Sequence, residues 1–333
     1  MKRLSSFVCL LLCVQAAFAE PIQIDEWTVP YEQSRPRDPF AVSGDEVWFV
    51  GQKTGYLARF DVPSATFEQV ALKPGSGPHN LIVSESGDVW FAGNRTTLIG
   101  RYDPATKAIE EVAMPDAAAR DPHTLVFDAD EQHIWFTVQG GNYVGRLTLA
   151  DRNVELFESE TPRSRPYGIK MAPDGDVWVV LFGTHKLLHI DAGTLERTEI
   201  PLPRETARPR RIEILSDGSI WYGDYAGGRL GRYLPSTGEF KEWLMPQGEG
   251  ARPYGMASDG SDRLWMVATG VQPNVFVGFD PKEERFFSQT EVSSGGGTIR
   301  HMHYHEDTGA VWFGSDANTI GRAIVEPDQR APE

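Results

Sequence analysis

The chain has 333 residues, too many for one ordinary compact core, so its length points to two domains or a repeated unit. It is 40% hydrophobic and 24% charged, with 33 Gly, 23 Pro and 9 Trp, a mixture suited to many short strands joined by turns. The net charge of −15 argues against a nucleic-acid binder and against a protein drawn to anionic lipid.

Lys2 and Arg3 precede a mostly apolar stretch, Phe7 to Phe18, too short to span a bilayer. Ala17-Phe18-Ala19 is a small-x-small cleavage pattern, so residues 1–19 are expected to be a signal peptide cleaved after Ala19. The expected location is periplasmic or secreted, with no membrane anchor. Cys9 and Cys13 both fall in the leader, so the expected mature chain has no disulfide, thiol nucleophile or zinc-thiolate site. Its net charge becomes −17 once Lys2 and Arg3 are gone.

Seven tryptophans then recur at gaps of 42 to 47 residues: Trp48, Trp90, Trp135, Trp178, Trp221, Trp265 and Trp312. Each unit has a Pro-led apolar segment, an Asp-Gly or Ser-Gly turn, a Val-Trp-Phe type segment, an Ile-Gly-Arg type segment and an alternating segment such as Phe240-Lys241-Glu242-Trp243. Four short strands per ~40–45 residues predict a propeller blade, with the tryptophans packed between blades. The last unit stops at Ile320-Gly321-Arg322-Ala323-Ile324-Val325 and lacks a fourth strand. Ile24-Asp25-Glu26-Trp27 has that fourth-strand pattern. The prediction is an all-β, seven-bladed propeller over residues 20–333, closed by the N-terminal strand joining the last blade and so free of an open sheet edge.

The runs Gly77-Pro78-His79 through Ile99-Gly100-Arg101 and Asp121-Pro122-His123 through Val144-Gly145-Arg146 resemble the streptogramin B lyase (virginiamycin B lyase) family, and the likeness extends blade by blade over the mature chain. The resemblance implies opening of a cyclic depsipeptide by C–O elimination, with a magnesium ion held by two glutamates and a histidine as base. His301, eleven residues before Trp312, matches the catalytic histidine. The glutamate positions hold Ile299 and Ser315, and a second histidine position holds Tyr254. Three of the four key positions thus depart from the family, and neither Ile299 nor Ser315 offers magnesium a carboxylate.

The residue after each repeated Pro is expected to ring one mouth of the central channel: Phe40, His79, His123, Tyr167, Arg210, Tyr254 and His301. Two residues earlier the series reads Asp38, Gly77, Asp121, Arg165, Arg208, Arg252 and Ile299, with Arg300 beside the last and Arg163 and Arg211 nearby. Arginines gathered on an acidic chain point to an anionic small molecule, because the guanidinium fork matches carboxylate and phosphate. The alternative is that they pair with Glu205, Glu213 and Glu249. His301, His303 and His305 alternate along one strand, but their span of about 13 Å is too long for one shared ion.

Two functions follow. One is a lyase-like monomer binding an anion or cyclic ester, with His301 as base assisted by His79 or His123. The other is a binding propeller that does no chemistry. A sugar-lactone hydrolase fits less well, since seven repeats and the axial series lack that group's calcium-binding carboxylates. There is no Ser-His-Asp order, phosphate loop or zinc-helix motif.

Overall fold

In the second and third strands of four blades, an aromatic residue lies directly across from a glycine: Phe91 from Gly100, Phe136 from Gly145, Tyr222 from Gly231 and Phe313 from Gly321. A Cβ on Gly145 would stand 2.1 Å from the Phe136 ring, so the glycine of the Ile-Gly-Arg motif is the space that ring occupies. One residue on, the motif's arginine faces the repeated tryptophan. Arg146 lies 5.4 Å over Trp135 and Arg232 lies 5.7 Å over Trp221.

The computed structural model describes residues 21–326, and the expected leader lies outside them. These residues form seven four-stranded antiparallel sheets. The innermost strands are β2 (Pro36–Ala41), β6 (Pro78–Val83), β10 (Pro122–Phe127), β14 (Pro166–Met171), β18 (Pro209–Ile214), β22 (Pro253–Ser258) and β26 (Ile299–His305). The last blade continues through β27 (Ala310–Ser315) and β28 (Thr319–Ile324), and β1 (Gln23–Thr28) pairs with β28 as its outer strand. The ring is closed as the fourth-strand pattern predicted. Arg322 bonds Asp25 at 2.7 Å and Trp27 stacks on Trp312 across this seam.

The core lies between blades. Trp90 packs with Ile134 and Phe136 of the next blade, Trp135 with Val177 and Val179, and Trp312 with Val47 and Phe60 of the first. Burying seven large rings this way fixes the blade spacing.

Every innermost strand also carries a register shift just after its first residue, or in β2 after its second. A bulge lets two successive side chains face the same way, and here both face the axis. That device supplies the channel with two layers of side chains.

Candidate functional site

Strand pairing decides which residues share a layer. Trp90 faces Ile82, eight residues earlier, whereas Trp312 faces His303, nine residues earlier. The hairpin before Trp312 is therefore one residue longer, and counting back eleven lands one position too deep. In the first blade Trp48 faces Phe40, so the strand begins at Pro36 and not at Pro39. The first layer is Arg37, His79, His123, Tyr167, Arg210, Tyr254 and Arg300. The second is Asp38, Asn80, Thr124, Gly168, Arg211, Gly255 and His301. Phe40 and His301 thus leave the expected ring, replaced by Arg37 and Arg300, and the residues before each strand include Arg35 and Thr298 in place of Asp38 and Ile299. The other ring members stand where the repeat put them.

These layers do not line an open funnel; they fill the axis. The His79 and His123 rings lie 3.5 Å apart between centroids, and His123 and Tyr167 lie 4.0 Å apart. Tyr167 and Tyr254 join their hydroxyls in a hydrogen bond, and Arg210 Nη2 donates to both, at 3.3 and 2.8 Å. The Arg210 guanidinium is 3.7 Å from the Tyr254 ring centre and 4.4 Å from that of Tyr225. Arg211 crosses the channel, donating through Nε to the Arg300 carbonyl at 2.9 Å and through Nη1 to Thr124 at 3.2 Å.

Asp38 is the carboxylate of this plug. It accepts from Arg37 Nε at 2.9 Å and Asn80 at 3.1 Å, with Arg211 Nη2 at 3.8 Å. Burial alone would raise its pKa, but the charged Arg37 and Arg211 hold it below the usual carboxylate range. Burial, reinforced by the neighbouring arginines, pushes His79, His123 and His301 well below the ordinary imidazole value, so all three are neutral at pH 7.

Above the plug, at the mouth where the innermost strands begin, stand Arg165, Arg208 and Arg252. None makes an ion pair with a described carboxylate. Arg208 donates to the Glu205 and Ala207 carbonyls, Arg165 lies 5.3 Å over Phe182, and Arg252 is exposed in a left-handed conformation with φ 49°. Glu213 and Glu249 pair elsewhere, with Lys170 and Arg229. Arg300 is instead held by Asp316, Nη2 to Oδ2 at 2.6 Å. Asp121 sits at the same mouth. Burial pushes its carboxyl up to about 6 against the opposing pull of Asn94 and Arg165. With its amide turned to satisfy both neighbours, Gln139 donates to Asp121 at 2.9 Å and accepts from Arg165 at 3.1 Å.

Below the plug lies a second funnel, a cavity of about 430 Å³ lined by Phe40, Ile82, Thr124, Lys170, His301 and His303 among others. His301 therefore opens toward the far side from the arginine rim, and the fold separates the candidate base from the candidate anion groups. His303 accepts the Ala41 N–H at 3.1 Å, stacks on Phe40, and is pushed down to about 3 by burial. His305 bonds Thr308 at 2.9 Å.

Sequence reasoning missed Phe182 and Tyr225. Both stand four residues after their blade's tryptophan, in series with Gln52, Asn94, Gln139, Thr269 and Asp316. Reading that position across the repeats would have found them.

The family model described as the virginiamycin B lyase family matches residues 19–190 and 157–329. The chain belongs to the virginiamycin B lyase family. It is 33% identical over 98 residues to a virginiamycin B lyase of Nocardia farcinica, a match spanning 29% of this chain and 34% of that protein. A streptogramin B lyase structure superposes with a TM-score of 0.81 at 24% identity, covering 91% of this chain and 97% of that one. A catalytically inactive virginiamycin B lyase from Staphylococcus aureus, with Quinupristin, gives 0.82 at 21% identity, covering 91% and 99%. At these identities the structural likeness establishes the fold.

The magnesium ion implied by the family resemblance does not fit this chain. Ile299 is buried and apolar, and Ser315 spends its hydroxyl on Thr319 at 2.7 Å. The nearby carboxylate of Asp316 is engaged by Arg300 and approached by Arg35 at 3.5 Å. Two guanidinium groups repel a cation from that corner.

Proposed function

We propose that this chain is an exported, monomeric member of the lyase family whose arginine mouth binds a small anionic molecule. The observation that carries the reading is that Arg165, Arg208 and Arg252 make no ion pair among the described residues, above a floor in which Asp38 is the one carboxylate within ion-pair distance of Arg37, Arg210 and Arg211. Such an excess of guanidinium attracts carboxylate or phosphate, and each charge-assisted bond is worth about 1.5–3 kcal/mol.

Calorimetric titration with a panel of carboxylates and phosphates tests it. Arg252→Ala and Arg165→Ala should each weaken binding about ten-fold or more, with a smaller loss at high salt than at low. No heat with any anion, or equal affinity in the variants, overturns the reading.

Elimination at a cyclic ester is the second reading, supported by His301, which is neutral and keeps Nδ1 without a hydrogen-bond partner among the described residues. In that reaction His301 takes the proton, the C–O bond breaks and the carboxylate leaves. Incubation with cyclic depsipeptides, with and without magnesium, should give turnover that disappears in His301→Ala.

A further inference from the structure

The protons and charges of the channel plug do not balance if every group is in its ordinary state. Arg37, Arg210 and Arg211 carry three positive charges, and among the described residues Asp38 is the one carboxylate within ion-pair distance of them, with Asp121 and Glu213 farther off. The histidines do not help, being neutral. Arg37 and Arg211 are each only 3% exposed, and Nη2 of each, together with Nε of Arg210, is buried without a hydrogen-bond partner. A bare excess of positive charge in such a setting is costly.

The two phenols pose the complementary problem. Tyr167 and Tyr254 are 2% and 3% exposed. Their mutual hydrogen bond uses one phenolic hydrogen. The other has no acceptor among the described residues, because the remaining partner of both oxygens, Arg210, can only donate. Removing one proton answers both problems at once. The pair then has one hydrogen between two oxygens, and its negative charge faces the guanidinium groups.

We propose that the Tyr167–Tyr254 pair holds a single phenolic proton at neutral pH, so that the pair carries one negative charge and is the base on the arginine side of the channel. Its use as a base rests on the proposed mouth; its ionisation does not.

The groups facing the pair come from every neighbouring strand. Arg37 approaches from β2, His123 from β10, Arg210 and Arg211 from β18, with Phe182 and Tyr225 from the adjoining turns. Burial opposes ionisation of Tyr167, but Arg210, Arg211 and Arg37 outweigh it. Burial raises Tyr254, and because the two hydroxyls share one hydrogen bond the single proton belongs to the pair.

NMR of the whole protein carrying isotope-labelled tyrosine Cζ reads this directly. At pH 7 one of the ten tyrosine signals should stand at the phenolate position, move to the phenol position on unfolding at the same pH, and be missing in the double variant Tyr167→Phe, Tyr254→Phe. Ten phenol signals in the folded protein overturn the proposal. Should the double variant not fold, Arg210→Met should raise the midpoint of the phenolate signal by about one pH unit or more, and an unmoved midpoint overturns the arrangement. Failure of carboxylates to bind the mouth would leave the NMR result intact, so the two readings fail separately.

Discussion

Asp121 sets the pH response of the arginine mouth. Its carboxyl, raised to about 6 chiefly by burial, is charged at pH 8 and opposes an incoming anion. Protonation as pH falls removes that opposition, so anion affinity should rise between about pH 7 and 5. Asp121→Asn should bind at pH 8 as the wild type does at pH 5, and calorimetry at the two values checks it. The sign on stability follows from the same shift. A raised native pKa means the folded state binds the proton more tightly, so Asp121 contributes stability at low pH that is lost as pH rises through about 6.

Across the blades, the glycine beneath the aromatic residue is the element that makes second and third strands fit. In Gly145→Ala the added methyl would stand 2.1 Å from Phe136, and ring or backbone must move. The expected cost is about 1–3 kcal/mol, the usual range for overpacking a filled core. Gly250→Ala serves as the control, because a Cβ there meets nothing within 4 Å, and it should change stability by less than about 0.5 kcal/mol. Urea unfolding that gives both variants the same midpoint would contradict the packing account. The bulge in each innermost strand is the second element-level device. Without it a strand alternates, and His79 and Asn80 or Arg210 and Arg211 would point to opposite faces.

The whole molecule should be sensitive to acid. His79, His123, His301 and His303 are held neutral by burial, with native pKa values below the ordinary 6.5 and His303 down to about 3. The unfolded chain takes up protons below 6.5 that the native chain refuses, so stability falls as pH drops. Each histidine contributes a slope of ~1.4 kcal/mol per pH unit, or ~5 kcal/mol per unit for four. Asp121 offsets about one of the four between roughly pH 6 and 4. Urea titrations at pH 7, 6 and 5 should show a steep loss. A flat profile would mean that these rings are protonated in the folded protein.

The amino-acid sequence by itself determined the seven blades, their closure by the N-terminal strand and the tryptophan packing between them. The blades rest on periodicity and on hairpin pairing between chain neighbours, and the closure on a fourth-strand pattern missing from the last unit and present at Ile24–Trp27, all of it written along the chain. The identity of most axial residues was legible too, because His79, His123, Tyr167, Arg210 and Tyr254 each follow the proline that opens the innermost strand. Tertiary structure alone decided the rest. One extra hairpin residue moved His301 a layer deeper and brought Arg300 into its place, a shift that spacing cannot reveal when the turn length varies. Contacts across the axis, such as Arg211 with Thr124 and Arg300 or Asp38 with Asn80, join residues tens of positions apart. Whether such side chains line an open channel or close it depends on their lengths meeting at the axis, and no periodicity encodes that.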